Sequence, residues 1–271
     1  MKYEEYLNPA DGLLYCSKCG KPRQMLLKGL PGLMSPVRIP CACEEALQKT
    51  QAAARMEEEK RTRIEILRRR GIPGTLYHQY TFAKDQGLVP EIQYAKAYVD
   101  HFREMEKSAT GLLFWGGVGT GKTYLAACIA NALIDQEIPV KMTSIPQITN
   151  HMSSLFSDDK NRFLEELTKP SLLIIDDLGA ERNTEYSLEQ IYAVIDSRYS
   201  SGKPMILTTN LTLEEMENPD DRNHARIYSR VLERCVPVLT NGPNLRKRNA
   251  ERQFQETKAI LDSGMRNVQY H

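Results

Sequence analysis

Residues 116–123 read Gly-Gly-Val-Gly-Thr-Gly-Lys-Thr, a complete G-x-x-x-x-G-K-[ST] loop. It lies between a short apolar run, Gly111–Trp115, and a stretch with apolar residues at helical spacing, Tyr124–Ile134. That order dictates a buried strand, a tight loop and a helix whose N-terminus faces an anion. A triphosphate needs many backbone N–H donors on a small curved surface, and glycines let the backbone come that close. Gly116, Gly117, Gly119 and Gly121 give this freedom, with Val118 and Thr120 between them. Lys122 supplies a cation for the β- and γ-phosphates, and the hydroxyl of Thr123 a ligand for Mg2+.

From residue 75 onward strand and helix patterns alternate. A helix is predicted over Glu91–Lys107, and strands over Gly111–Trp115, Val140–Ile145, Ser171–Ile175, Met205–Thr209 and Val236–Thr240. Helical spacing covers Gln147–Phe156, Arg162–Leu167, Tyr186–Tyr199 and Ala225–Arg234. The run Leu172-Leu-Ile-Ile175 is continuously apolar, as a parallel strand covered on both faces must be. The rhythm predicts an α/β fold with a mostly parallel sheet and its ligand at the C-terminal strand ends.

Two carboxylates, Asp176 and Asp177, follow that apolar run. In phosphate-loop proteins the first acid of such a pair holds the Mg2+ sphere and the next orients the attacking water. Asp176 is therefore assigned to metal and Asp177 to water activation, with the shorter reach of an aspartate. Asn210 ends Thr208-Thr-Asn210, where a neutral amide can sense the γ-phosphate; asparagine is also a favoured turn residue. Arg226, Arg230 and Arg234 share one helix face, and Arg246-Lys-Arg248 comes after the last strand. Spacing alone leaves two readings of these arginines, a solvated basic face or a cation that stabilises phosphoryl transfer.

Ahead of this region, residues 1–43 carry Cys16-Ser-Lys-Cys19-Gly20 and Cys41-Ala-Cys43. The first pair has the form of a zinc knuckle, and four sulfurs can close one tetrahedral Zn2+ site with no open position, hence a structural site. So short a segment has little apolar material, and metal binding would supply its folding free energy, on the order of 10 kcal/mol. A redox dithiol is the competing reading, but no thioredoxin-like βαβ pattern surrounds the pair. Residues 44–70 hold no glycine or proline and read as a charged connecting helix. Its Arg68, Arg69 and Arg70 either complement the helix dipole or touch nucleic acid. The organisation expected is a zinc module at 1–43, a linker at 44–70 and an ATPase domain at 71–271.

Composition narrows the class further. With 41% hydrophobic and 26% charged residues and a net charge of +1, the chain reads as globular and carries no overall nucleic-acid charge signature. It has no apolar run near the roughly 18 residues of a membrane span and no signal-peptide core, so a cytoplasmic location without membrane contact is expected. Cys128, among alanines and isoleucine, is read as a small buried core residue.

Phosphate loop, Asp-Asp strand end, Thr-Thr-Asn strand end, Ser229-Arg-Val-Leu-Glu-Arg234 and Asn244-Leu-Arg-Lys-Arg248 occur in this order, which resembles the AAA+ replicative helicase loaders of the DnaC/DnaI type and the related IstB transposition ATPases. The resemblance covers about residues 72–256 and is most specific over Leu112–Thr123 and Leu173–Glu181. It implies an AAA+ core without a large C-terminal lid, with ATP as ligand. It makes Asn210 sensor 1, Arg234 an arginine finger offered to the adjacent subunit, supported by Arg230, and Arg246 the sensor 2 arginine. The stretches Gly71–Pro73 and Tyr80–Phe82 resemble the segment that covers adenine, and the cysteine module resembles the domain that grips the helicase. Implied partners are a hexameric DnaB-like replicative helicase, single-stranded DNA and further copies of the chain, head to tail and ATP-dependent. Lys160, Arg162 and Arg182 are the candidate DNA contacts. A duplex-binding transposition helper is the alternative; a nucleotide kinase would need neither Asn210 nor an arginine in trans.

Overall fold

The computed structural model describes residues 4–28, 34–85, 87, 89–180 and 184–266. Two compact units divide the chain, Met1–Arg63 and Ile64–His271. In the first, strands β1 (Glu5–Leu7) and β2 (Leu14–Cys16) pair antiparallel, as do β3 (Gln24–Lys28) and β4 (Met34–Arg38). Helix α1 (Ala42–Gly71) begins after Cys41. Arg23 is buried here at 2% exposure and is held by Glu5, 3.2 Å away, and by Glu44. A buried guanidinium needs such partners, and these tie the first strand and the first turn of α1 to one point.

The division falls inside α1, beyond residue 44 where the linker was expected to start and before Gly71 where it stops. The physical reason is that Ile64 and Leu67 pack onto the core of the second unit. Arg68 there pairs with Asp135 and donates from Nε to Asn131 Oδ1 at 3.1 Å.

The second unit contains α2 (Ile92–Asp100), α3 (Phe102–Ser108), β5 (Gly111–Trp115), α4 (Lys122–Asp135), β6 (Val140–Ser144), α5 (Ile145–Ser153) and α6 (Ser157–Thr168). It continues through β7 (Leu172–Leu178), α7 (Glu185–Ser200), β8 (Met205–Thr209), α8 (Leu213–Glu217), α9 (Arg222–Arg234), β9 (Cys235–Leu239) and α10 (Leu245–Arg266). The five strands form one parallel sheet in the order β6-β7-β8-β5-β9. The single helix predicted over Glu91–Lys107 is two, interrupted at His101.

Both sheet faces are covered, and the strands alternate between two cores. Leu112, Phe114, Leu172, Ile174 and Ile206 pack with α2 and α4 on one side. Leu113, Leu173, Ile175, Met205 and Leu207 pack with α5, α7 and α9 on the other. This is why the runs Leu112–Phe114, Leu172–Ile175 and Met205–Leu207 are apolar at successive positions and not only at every second one. Arg198, fully buried on α7, donates to the carbonyls of Thr168, Pro170, Ser171 and Pro204 and so ties the entries to β7 and β8 together.

Among the described residues no helix is long and apolar enough to cross a membrane.

Candidate nucleotide site

Every strand of the sheet runs the same way, so the ends of β5, β7, β8 and β9 converge on one edge. The phosphate loop leaves β5 there, Asp176 and Asp177 end β7, Asn210 follows β8 and Thr240 follows β9. Gly116 at φ 133° lies where a Cβ would sit 2.3 Å from the Thr240 carbonyl oxygen, and Gly119 at φ 83° where one would strike the Asn244 side chain. At both positions only glycine fits. Asn244 caps α10, accepting from the Lys247 N–H at 3.0 Å, while the Leu245 N–H donates to the Gly119 carbonyl at 2.9 Å. The start of the last helix is thus pinned to the loop.

Lys122 is only 6% exposed, and its ammonium donates to the carbonyls of Gly116 and Gly117 and to Asn210 Oδ1, at 2.8, 2.7 and 2.8 Å. Burial lowers its pKa, with Asp177 and Asp176 acting against that. Thr120 donates to the Gly117 carbonyl and contacts Thr240 Oγ1 at 2.9 Å, which holds the loop to the end of β9. Asp176 Oδ1 accepts from Thr123 Oγ1 at 2.9 Å and from Thr208 Oγ1 at 2.5 Å. Burial pushes the Asp176 carboxyl above its usual value, the Thr208 hydrogen bond working in the opposite direction.

Asp177 occupies the left-handed region at φ 60°, where the β7–β8 register shifts between Ile175 and Leu178. Its N–H donates to Thr208 Oγ1 at 3.0 Å. Aspartate tolerates this conformation better than a longer side chain does, which accounts for its presence at this strand end.

A cavity of about 310 Å3 opens beside these groups. Val118, Gly119, Gly121, Lys122 and Thr123 contribute from the loop, with Asp177, Asn210 and Arg246 around them. The other end is apolar and aromatic, formed by Leu76, Tyr77, Tyr80, Val89 and Leu245. Sequence reasoning reached the Tyr80 region and the phosphate end. It missed Tyr77, Thr208, Thr240 and Asn244; the signal for Thr208 and Thr240 is a hydroxyl at the end of a buried strand.

Arg234 lies elsewhere. It ends α9 directly before Cys235, which pairs with Gly111 at the start of β5, and the phosphate loop leaves the far end of that strand. Five strand residues separate the two levels, roughly 16 Å. Its guanidinium sits 4.7 Å over the Tyr199 ring, and among the described residues no carboxylate pairs with it. Arg230, by contrast, is engaged by Asp196 Oδ1 at 2.8 Å and Tyr192 Oη at 2.9 Å. Arg226 stacks on Tyr192 at 4.1 Å.

Lys160 donates to Tyr186 Oη at 3.1 Å, Arg162 lies 3.8 Å from Asp159, and neither lines the cavity. Arg182 lies outside the described residues.

In the first unit the sulfurs of Cys16, Cys19, Cys41 and Cys43 all lie within 4.8 Å of one another. A tetrahedral Zn2+ with bonds of about 2.3 Å places its sulfurs about 3.8 Å apart, so the set fits that ion. Gly20 at φ 66° turns the knuckle back, and the Gly20 N–H donates to the Cys16 carbonyl at 2.8 Å. Cys41 and Cys43 flank the start of α1. A backbone hydrogen bond from Lys21 lowers the Cys19 thiol, while the bond with Cys19 raises Cys43 to about 11.

With this geometry in place, comparison with known proteins is decisive. The sequence profile of the IstB-like ATP binding protein family matches residues 52–253. The chain belongs to that family. Among curated proteins the chain is similar to the phage-like element PBSX protein XkdC of Bacillus subtilis, 32% identical over 55% of this chain and 58% of that protein. The replicative helicase loader DnaC of Escherichia coli is 30% identical over 48% of this chain and 54% of DnaC. The chain therefore spans little more than half the length of these relatives. The crystal structure of DnaI shares the fold, with a TM-score of 0.52 at 24% identity, over 64% of this chain and 93% of that one. The second unit is thus an AAA+ phosphate-loop core of an ATP-binding family, as its sequence order implied.

Proposed function

We propose that this protein is an ATP-controlled loader that delivers a hexameric, DnaB-like replicative helicase to single-stranded DNA, with ATP binding and hydrolysis as the assembly switch. The observation that carries the reading is the placement of Arg234 before β9, at the end of the strands opposite its own phosphate loop, unpaired by carboxylate among the described residues. A cation so placed serves a neighbour's γ-phosphate and not its own. Such a contact is head to tail, which builds spirals or rings and not closed two-fold dimers.

Lys122 and the loop N–H groups bind the phosphates, and Arg246 approaches them from the first turn of α10. Thr123 would hold Mg2+ through its hydroxyl and Asp176 through water, their oxygens lying 2.9 Å apart. When bound, Mg2+ neutralises the charge of the β- and γ-phosphate oxygens. Asp177 accepts the proton of the attacking water, and Asn210 orients that water beside Lys122. ATP bridging two protomers stabilises the assembly, and hydrolysis removes the bridge.

The domains keep separate tasks: the zinc module, with Cys16, Cys19, Cys41 and Cys43 as ligands, grips the helicase, and the AAA+ unit tracks DNA through Lys160, Arg162 and Arg182. The similarity to DnaC supports the loader reading over a transposition helper. The test is affinity capture from the native host together with ATP turnover with and without single-stranded DNA. A hexameric helicase in the captured fraction and DNA-stimulated turnover are expected; capture of a transposase alone overturns the loader reading.

A further inference from the structure

Asn131 is a buried amide, 1% exposed, on the helix that the phosphate loop opens, and phosphate chemistry makes no use of it. Its Nδ2 lies 2.8 Å from the Tyr77 carbonyl, 2.9 Å from the Tyr80 carbonyl and 3.0 Å from the Ala127 carbonyl on its own helix. Two hydrogens therefore serve three acceptors, one of them shared. The orientation of the amide is fixed from the other side, since Arg68 Nε can only donate and does so to Oδ1 at 3.1 Å. The segment that carries the two tyrosines is short and has no core of its own. Its other tether is the Tyr124 hydroxyl, which donates to the Thr81 carbonyl at 3.2 Å. Tyr124 comes from the same helix, and its ring meets Tyr80 edge to face at 5.3 Å.

Tyr77 and Tyr80 form the apolar end of the nucleotide cavity, while Lys122 and Thr123 at the start of α4 form its phosphate end. Nine residues of helix separate Lys122 from Asn131, roughly 14 Å along the axis. One rigid helix thus sets both ends of the site: its first turn holds phosphate and its third turn holds the aromatic wall.

We infer that Asn131 is a positioning residue for the base of the nucleotide, clamping the Tyr77–Tyr80 wall at a fixed distance from the phosphate loop. This rests on the reading that the cavity holds ATP. An amide is required because the clamp needs donors toward two carbonyls and an acceptor toward Arg68 in a single planar group. Aspartate would keep the acceptor and lose both donors; leucine would lose both functions at similar volume.

The test is titration of the full chain with Mg-ATP and, separately, with Mg-tripolyphosphate, which has phosphates and no base. Asn131→Asp and Asn131→Leu should each weaken ATP about tenfold while leaving tripolyphosphate within about twofold. Arg68→Ala, which leaves both donors in place, should change ATP by less than about threefold. Unchanged ATP affinity in the Asn131 variants, or parallel losses for ATP and tripolyphosphate, would overturn the inference; the second result would make Asn131 a mere support of the helix. Should those variants not fold, Asn131→Ser, smaller and keeping one donor toward the wall, takes their place, and a ratio of ATP to tripolyphosphate affinity equal to wild type there overturns it as well. Wild-type protein that binds tripolyphosphate and not ATP would remove the nucleotide reading itself, an outcome distinct from the others.

Discussion

The Lys122 ammonium lies 2.8 Å from the side-chain oxygen of Asn210, so the end of β8 touches the cation of the phosphate loop directly. On the function proposed above, an incoming γ-phosphate would meet both groups at once. Asn210→Ala should leave the Mg-ATP dissociation constant within about threefold and lower turnover about 100-fold, the loss typical of one preorganised polar group. Equilibrium titration and steady-state ATPase rates on the same preparation check it; equal turnover would remove Asn210 from the reaction.

The sheet places Arg234 beyond reach of its own loop, and this can be tested by mixing. Arg234→Ala should bind ATP normally and lose at least about 100-fold in turnover together with ATP-dependent assembly. Lys122→Ala should bind no ATP yet still present Arg234. Mixed, the two inactive proteins should recover measurable ATPase, because one supplies the loop and the other the guanidinium. An inert mixture of folded proteins would argue that the arginine acts on nothing in a neighbour.

Asp177 holds a left-handed backbone, which sets what can replace it. Asp177→Asn should keep stability within about 0.5 kcal/mol, since asparagine visits this region readily, and should abolish turnover. Asp177→Glu adds reach but should destabilise by about 1 kcal/mol and give no gain in rate. Urea denaturation and ATPase assays separate the two effects.

Asp176 is raised above its usual value by burial. Folding therefore favours its neutral form: the stabilisation is full below the unfolded value of 3.8 and is lost as pH rises through the raised folded value. Without nucleotide or Mg2+, Asp176→Asn should accordingly be more stable than wild type at pH 7, and the gap should close as pH falls toward 4. Thermal melts of both proteins across that range read it directly; a gap that widens in acid would contradict the sign.

Metal analysis of the purified chain should find about one zinc per molecule, lowered by Cys16→Ser or Cys43→Ser. Chelation should unfold the first unit, seen as loss of amide-exchange protection over residues 4–28. A metal-free chain with that region still protected would overturn the zinc assignment.

Much of the AAA+ core was legible because three of its strands, β5, β7 and β8, carry continuous apolar runs and its loop glycines are chemically obligatory. The N-terminal strands were not legible: three to five residues with prolines and charges carry no period, and Arg23 organises them by ion pairing instead. The break at His101 was hidden because the apolar spacing runs on through it. Spacing could not tell Arg234 from Arg230, which lie on one helix face; the positions of Asp196 and Tyr192 beside Arg230 separate them. Asn131 and Thr208 were visible as polar residues in apolar runs, but nothing in the sequence says which carbonyl or carboxylate they meet.

Because Asn244 and Leu245 rest on Gly119, one wall of the cavity is contributed by the start of α10. Shortening the chain from the far side, past solvent-facing Leu261 and Phe254, should be tolerated. A cut a few residues earlier than Asn244 would unroof the pocket and take Arg246 with it. Anyone fusing a reporter to this end should leave the opening turn of the final helix intact.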